Sequence, residues 1–214
     1  MKTLVRLAVL VGLVIAMAGT ASADTYNFTC ITNNSATNCN IGANQLSVTV
    51  TAGATPGTVR FQFNNVGTSN ASITDIYFAS GGFLAPPLTI TNSSGVDFSV
   101  VASPGSLPGG NNIGFSTTAQ LTADSNPPVQ PNGVNPGETL VIIATLSSGS
   151  SFNQLIQAMN GGQVVLGIHV QGFANGGSES MVNRPPNVVP EPGTLALFGT
   201  GLVGLAGLVR RRLA

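Results

Sequence analysis

Between residues 46 and 63, apolar and polar side chains trade places one by one: Leu46, Val48 and Val50 alternate with Ser47 and Thr49, then Val59, Phe61 and Phe63 with Arg60 and Gln62. A period of two places each apolar set on one face of an extended strand, so these segments are expected to be half-buried β-strands. Gly53, Pro56 and Gly57 supply the turn between them. Similar short runs at 26–31, 73–79, 88–91, 96–101, 113–121, 139–146 and 164–173 are further strand candidates. A parallel βα architecture needs several amphipathic helices, and only one convincing helix is present. Ser151 and Gln154 have capping-box spacing, Phe152, Leu155, Ile156 and Met159 form one apolar stripe, and Gly161-Gly162 ends it. The expected fold is therefore mainly β, an antiparallel β-sandwich of jelly-roll or Ig-like type with one short helix over a sheet edge or an open end. The Pro-rich stretch 126–136 reads as a long inter-strand loop.

Cys30 and Cys39 are the only cysteines, separated by a polar, turn-prone segment. In an exported chain a disulfide is the default, here expected to staple a weakly packed hairpin by about 2.5 to 3 kcal/mol on chain-entropy grounds. Metal binding is the weaker reading, because two thiolates with no nearby second pair or histidine are too few for a closed zinc site.

Both ends of the chain carry address-like segments. Lys2 and Arg6 precede an apolar run at 7–18, and Ala21-Ser22-Ala23 offers small residues for cleavage before Asp24, the pattern of a secretory signal peptide over residues 1–23. At the other end stand Pro190-Glu191-Pro192, an uncharged apolar stretch at 193–209, and Arg210-Arg211-Arg212. The part from 195 to 209 would reach only ~22 Å as a helix against a hydrocarbon core of about 30 Å, which suits transient retention better than permanent anchoring. The arginines bias their end to the cytoplasm and leave the preceding chain outside. The prolines keep residues 190–192 out of regular helix and accessible. An ordinary single-pass anchor behind a proline-rich linker is the alternative.

The three-part tail resembles the PEP-CTERM sorting signal of bacterial envelope proteins. That resemblance implies recognition and processing by an exosortase, a membrane-embedded transpeptidase-like enzyme, at Pro190, Glu191, Pro192 and the Arg210–Arg212 cluster. It also implies a sorting tail at 188–214 with a hydrophobic transmembrane helix, an ectodomain at 24–187, an inner-membrane-tethered intermediate, and final delivery to the cell surface or extracellular matrix. Two internal phrases, 127–138 and 167–183, are similar to uncharacterised proteins bearing the same tail, a group that brings no activity with it. Within the second phrase, Asn175-Gly176-Gly177-Ser178 permits a sharp reversal, and Glu179 is placed to bond nearby backbone amides.

Between the two signals the chain keeps Arg60 and Arg184 against six carboxylates, a net charge of −4 with His169 neutral. That balance offers no basic patch for phosphate and argues against nucleic-acid binding. Catalytic chemistry is sparse. His169 is the only histidine, no Gly-x-Ser-x-Gly elbow marks a nucleophile, and strand alternation sets His169 opposite the Leu166, Ile168 and Val170 face. Asp75, Asp97, Asp124 and Glu138 are dispersed in sequence, which does not make a calcium loop, although strands could bring them together. The expectation is a non-enzymatic protein with no cofactor, no metal site and no catalytic residue, acting as a structural or interaction component of the envelope or matrix. Carbohydrate binding, lectin-like and linked to exopolysaccharide, is the main rival. It is weakened by the lack of Trp and by having only Tyr26 and Tyr77 to serve as stacking platforms.

Overall fold

The computed structural model describes residues 23–183. Ten strands form one antiparallel sheet: β1 Ala23–Cys30, β2 Leu46–Ala52, β3 Thr58–Asn65, β4 Ser72–Ala79, β5 Leu84–Thr91, β6 Phe98–Val100, β7 Thr122–Ser125, β8 Thr139–Leu146, β9 Val165–Gln171 and β10 Glu179–Asn183. Their order is β5-β8-β3-β2-β1-β10-β9-β4-β7-β6. The alternating runs at 46–63 form the β2–β3 hairpin, with Val48 opposite Phe63 and Val50 opposite Phe61. The mainly β antiparallel expectation is met, and its two layers turn out to be halves of one continuous sheet. β1 joins them: residues up to Asn27 pair with β2, and Phe28, Thr29 and Cys30 pair with β10.

The two halves bury a shared apolar core. Phe78 of β4 meets Phe61 and Phe63 of β3 edge-on, with ring centroids 5.1 and 6.2 Å apart. β3 and β4 lie far apart in strand order, so these contacts cross the interior between half-sheets. The sheet stops just short of closing. Immediately after β5, the Asn92 amide donates to Phe98 O (3.2 Å) and accepts from Phe98 N (2.9 Å), so one side chain stands in for a ladder pair across the seam.

β4 contains an irregularity that its sequence signals. Ile73, Ile76 and Phe78 are all core residues, a spacing of three followed by two, and the register to β9 shifts between Ile73 and Asp75. The bulge accommodates the extra residue and turns Asp75 and Tyr77 to the outer face.

Two expectations are corrected. Residues 113–121 are not a strand. They lie in an irregular strap with 3-10 turns at Gly110–Ile113 and Ala119–Leu121, and the strand follows at β7. The polar run Ser116-Thr117-Thr118 breaks the alternation a half-buried strand needs. The strap lies across the outer face of β4 and β9, where Leu107 is buried with Tyr77, and Phe115 packs beside them. Gly167 makes room: a Cβ there would come within 2.7 Å of Leu107 and 3.1 Å of Phe115.

The segment between the cysteines is not a hairpin either. Ser35 caps a helix, α1 (Ala36–Gln45), by accepting from Asn38 N (3.4 Å), and Cys39 sits within its first turns. α1 buries Asn38, Gly42 and Gln45, a polar and small-residue stripe that no hydrophobic period reveals. Gly42 lies against Met181, leaving no space for a Cβ. Cys30 and Cys39 are disulfide-bonded, with S–S 2.05 Å, so the bond ties β1 to a helix. Removing it by Cys30→Ser with Cys39→Ser is expected to lower unfolding free energy by about 2.5 kcal/mol, given the nine-residue separation. Urea titrations of the variant and of the oxidised wild type measure this, and coincident midpoints would contradict it.

A four-residue helix, α2 (Val129–Asn132), interrupts the Pro-rich loop. The anticipated helix is α3 (Phe152–Asn160), and it has both halves of the capping box between Ser151 and Gln154. Its Leu155, Ala158 and Met159 join the main core, and Asn160 Oδ1 accepts from the buried Tyr26 hydroxyl at 3.0 Å.

Candidate functional site

Among the described residues, chemistry-bearing side chains gather in three places. The first is a polar row across the outer face of the second half-sheet. Strand register sets Ser99, Asp124, Asp75, His169 and Ser180 side by side on β6, β7, β4, β9 and β10. Asp75 and Asp124, remote in sequence, thus become cross-strand neighbours, whereas Asp97 and Glu138 stay out of the row. Asp75 is only 3 % exposed. Its carboxyl accepts from Thr74 Oγ1 (2.8 Å) and lies 3.4 Å from the Tyr77 hydroxyl, which also donates to Pro104 O in the strap (3.0 Å).

Burial, opposed by the Thr74 hydroxyl and assisted by the Asp124 carboxylate, pushes the Asp75 carboxyl up to about 6. A carboxyl whose folded pKa exceeds its unfolded value favours the fold most at low pH, and that advantage is lost as pH rises from about 4 through about 6. Asp75→Asn keeps an acceptor for Thr74 and removes the titration. The variant's melting temperature should therefore gain on wild type between pH 4 and pH 8, by the equivalent of about 2 kcal/mol. A pH-independent difference would contradict this.

His169 lies on the outer face as its alternation predicts, half-buried rather than fully solvated, with Nδ1 3.2 Å from Ser180 Oγ. Burial lowers its pKa, and the Glu179 carboxylate partly offsets that. The serine, histidine and aspartate stand in one row, yet Ser180 is completely buried, so its hydroxyl cannot reach an external substrate in this arrangement.

The second place is a clasp beneath the disulfide. Glu179, also fully buried, accepts from Thr32 Oγ1 (2.6 Å), Asn34 N (3.0 Å) and Ser35 N (2.6 Å). Thr32 Oγ1 in turn accepts from Ser180 N at 2.9 Å, and Asn38 donates to Gly176 O at 3.1 Å. The reversal at Gly176-Gly177, both with φ near +77°, delivers the carboxylate to these amides, as the sequence suggested. Cys30, Cys39 and Glu179 place possible metal-ligating atoms within 4.8 Å of one another. With the sulfurs joined as a disulfide, no thiolate is free to ligate, and the carboxylate is already held by three donors.

The third place is a cleft of about 250 Å³ between the start of β4, α2 with the loop after it, and Gly172 beyond β9. Its walls include Asn70, Ser72, Gln130, Pro131, Asn135 and Pro136. No charged or aromatic side chain lines it. Sequence reasoning missed this cleft, because its residues come from three separate segments with no motif spacing.

Arg60 is the only Lys or Arg in the described residues, and it donates to Gln62 Oε1 (2.6 Å), so this portion of the chain offers no basic surface. Ala23 and Asp24, flanking the expected signal cleavage, begin β1 opposite Thr51 and Val50. Ala21, Pro190, Glu191, Pro192 and Arg210–Arg212 lie outside the described residues. No helix among the described residues is long and apolar enough to cross a membrane.

The described portion is thus a disulfide-stapled, all-antiparallel β module. Beyond it, a family model described as the PEP-CTERM protein-sorting motif matches residues 188–212, and that motif implies an exosortase-sorted protein that passes through a membrane-anchored intermediate and is then exported. No curated protein and no solved structure matches the chain.

Proposed function

We propose that the protein is a structural or interaction component of the bacterial cell surface or extracellular matrix, acting by presenting its β domain and not by turnover. The sorting motif at 188–212 carries this reading, because it addresses the domain to the outside. Support comes from the state of the reactive groups. The single histidine is bonded to a buried serine, the clasp carboxylate is occupied by three donors, and the cysteines are oxidised. Each of these groups stabilises the fold where it stands.

Brief treatment of intact cells with proteinase K, which does not depend on Lys or Arg, tests the reading. Loss of the protein from whole cells or matrix, with a cytosolic marker untouched, is the expected result. Protection until the cells are lysed would overturn it. A carbohydrate-binding module is the second reading, favoured by the uncharged, amide-lined cleft beside α2.

A further inference from the structure

We propose that the cleft between β4, α2 and Gly172 is a binding site for one uncharged sugar ring of an oligo- or polysaccharide. The proposal rests on the second reading above and supplies its site and ligand class. The side-chain amides of Asn70 and Gln130 line the cleft and make no hydrogen bond within the described residues. Asn135 uses its amide nitrogen on Pro131 O and Gly133 O, both at 3.1 Å, which leaves its carbonyl oxygen available as an acceptor. Ser72 Oγ spends its proton on Gln130 O (3.0 Å) and retains acceptor capacity. Two open amides and two acceptors match the mixed donor and acceptor pattern of sugar hydroxyls, and the rings of Pro131 and Pro136 offer apolar surface to C–H groups. With no charge in the lining, an anionic ligand would be desolvated without compensation, so the site favours a neutral one.

The cleft is also held rigidly. Ile73 and Val134 exchange both backbone hydrogen bonds, at 2.9 and 3.2 Å. Beneath the wall, the fully buried Asn65 donates to Ala71 O (2.8 Å) and Val134 O (3.1 Å), fixing the two segments that carry Ser72 and Asn135. Asn135 N is held by Glu138 Oε2 at 2.8 Å. A preformed cleft spares the ordering cost that weakens binding by mobile loops. The phrases 127–138 and 167–183 meet here: the first supplies Gln130, Pro131, Asn135 and Pro136, the second Gly172.

The test uses the protein as its cell exports it, titrated calorimetrically with maltose, cellobiose, lactose and mannobiose, with digalacturonate as the charged comparison. Binding of at least one neutral disaccharide is expected, weakened about tenfold by Asn70→Ala and by Gln130→Ala, each the loss of about one hydrogen bond. Both side chains are exposed, so unchanged melting temperatures should accompany the losses. Neutral-sugar binding that neither substitution weakens would overturn the site while leaving the carbohydrate reading intact. Binding of none of the neutral disaccharides, or of digalacturonate in preference to them, would overturn the proposal, and the first of these would remove the carbohydrate reading with it.

Discussion

Phe78→Ala is expected to lower the unfolding free energy by about 4 kcal/mol, as is typical when a fully buried aromatic ring is truncated. Phe78 has no solvent exposure and lies edge-on to both Phe61 and Phe63, so its removal opens a void between the half-sheets and forfeits two ring contacts. Phe78→Leu keeps most of the volume and should cost less than half as much. Urea denaturation followed by circular dichroism would measure both, under conditions that keep Cys30 and Cys39 oxidised. A loss below about 1 kcal/mol for the alanine variant would mean the two inner faces do not share one core.

Glu179→Gln should cost about 3 kcal/mol, because a buried carboxylate serving three donors is replaced by a group with one acceptor oxygen. Whichever way the amide turns, its NH2 confronts at least one of Ser35 N–H, Asn34 N–H or the Thr32 hydroxyl. The damage is confined to the clasp, where β10, the loop after β1 and the start of α1 meet. Hydrogen exchange should therefore accelerate at Asn34 and Ser35 well before it does at core amides of β2 and β3. Exchange that stays unchanged at those two amides would contradict the role assigned to Glu179. The clasp and the disulfide restrain the same short segment, so their losses should combine non-additively in a triple variant.

How much of this was legible in sequence depended on whether a residue's partner was local. β2 and β3 announce themselves through an unbroken period of two, and α3 through its capping box and stripe, because both signals lie within a dozen residues. α1 was hidden because its buried face is Asn38, Gly42 and Gln45. A helix that packs through an amide bonded to Gly176 O and a glycine against Met181 presents no apolar stripe to detect. The strap 101–121 misleads for the opposite reason. Ile113, Phe115 and Leu121 imitate an alternating strand, while Gly109 and Gly114, both at positive φ, bend the chain into turns instead. β10 escaped because it is short and starts directly after the Gly176-Gly177 reversal, although the role of Glu179 on backbone amides was readable from that same reversal.

The polar row and the cleft follow the same logic. Asp75 and Asp124 could be seen as acidic residues, but only the β4–β7 register makes them neighbours. His169 could be set on the outer face from its own strand, whereas its partner Ser180 belongs to a strand the sequence did not reveal. The cleft needs Asn65 beneath it and three segments around it, an arrangement fixed wholly by tertiary packing.

The measurement that bears most directly on the account is the mass of the C-terminal peptide of the exported protein, from a host with its exosortase and from one without. Processing at the sorting motif predicts that the exported protein ends before Arg210 in the first host and retains the arginine cluster, membrane-associated, in the second. An exported protein that still carries Arg212 in the exosortase-bearing host would contradict it.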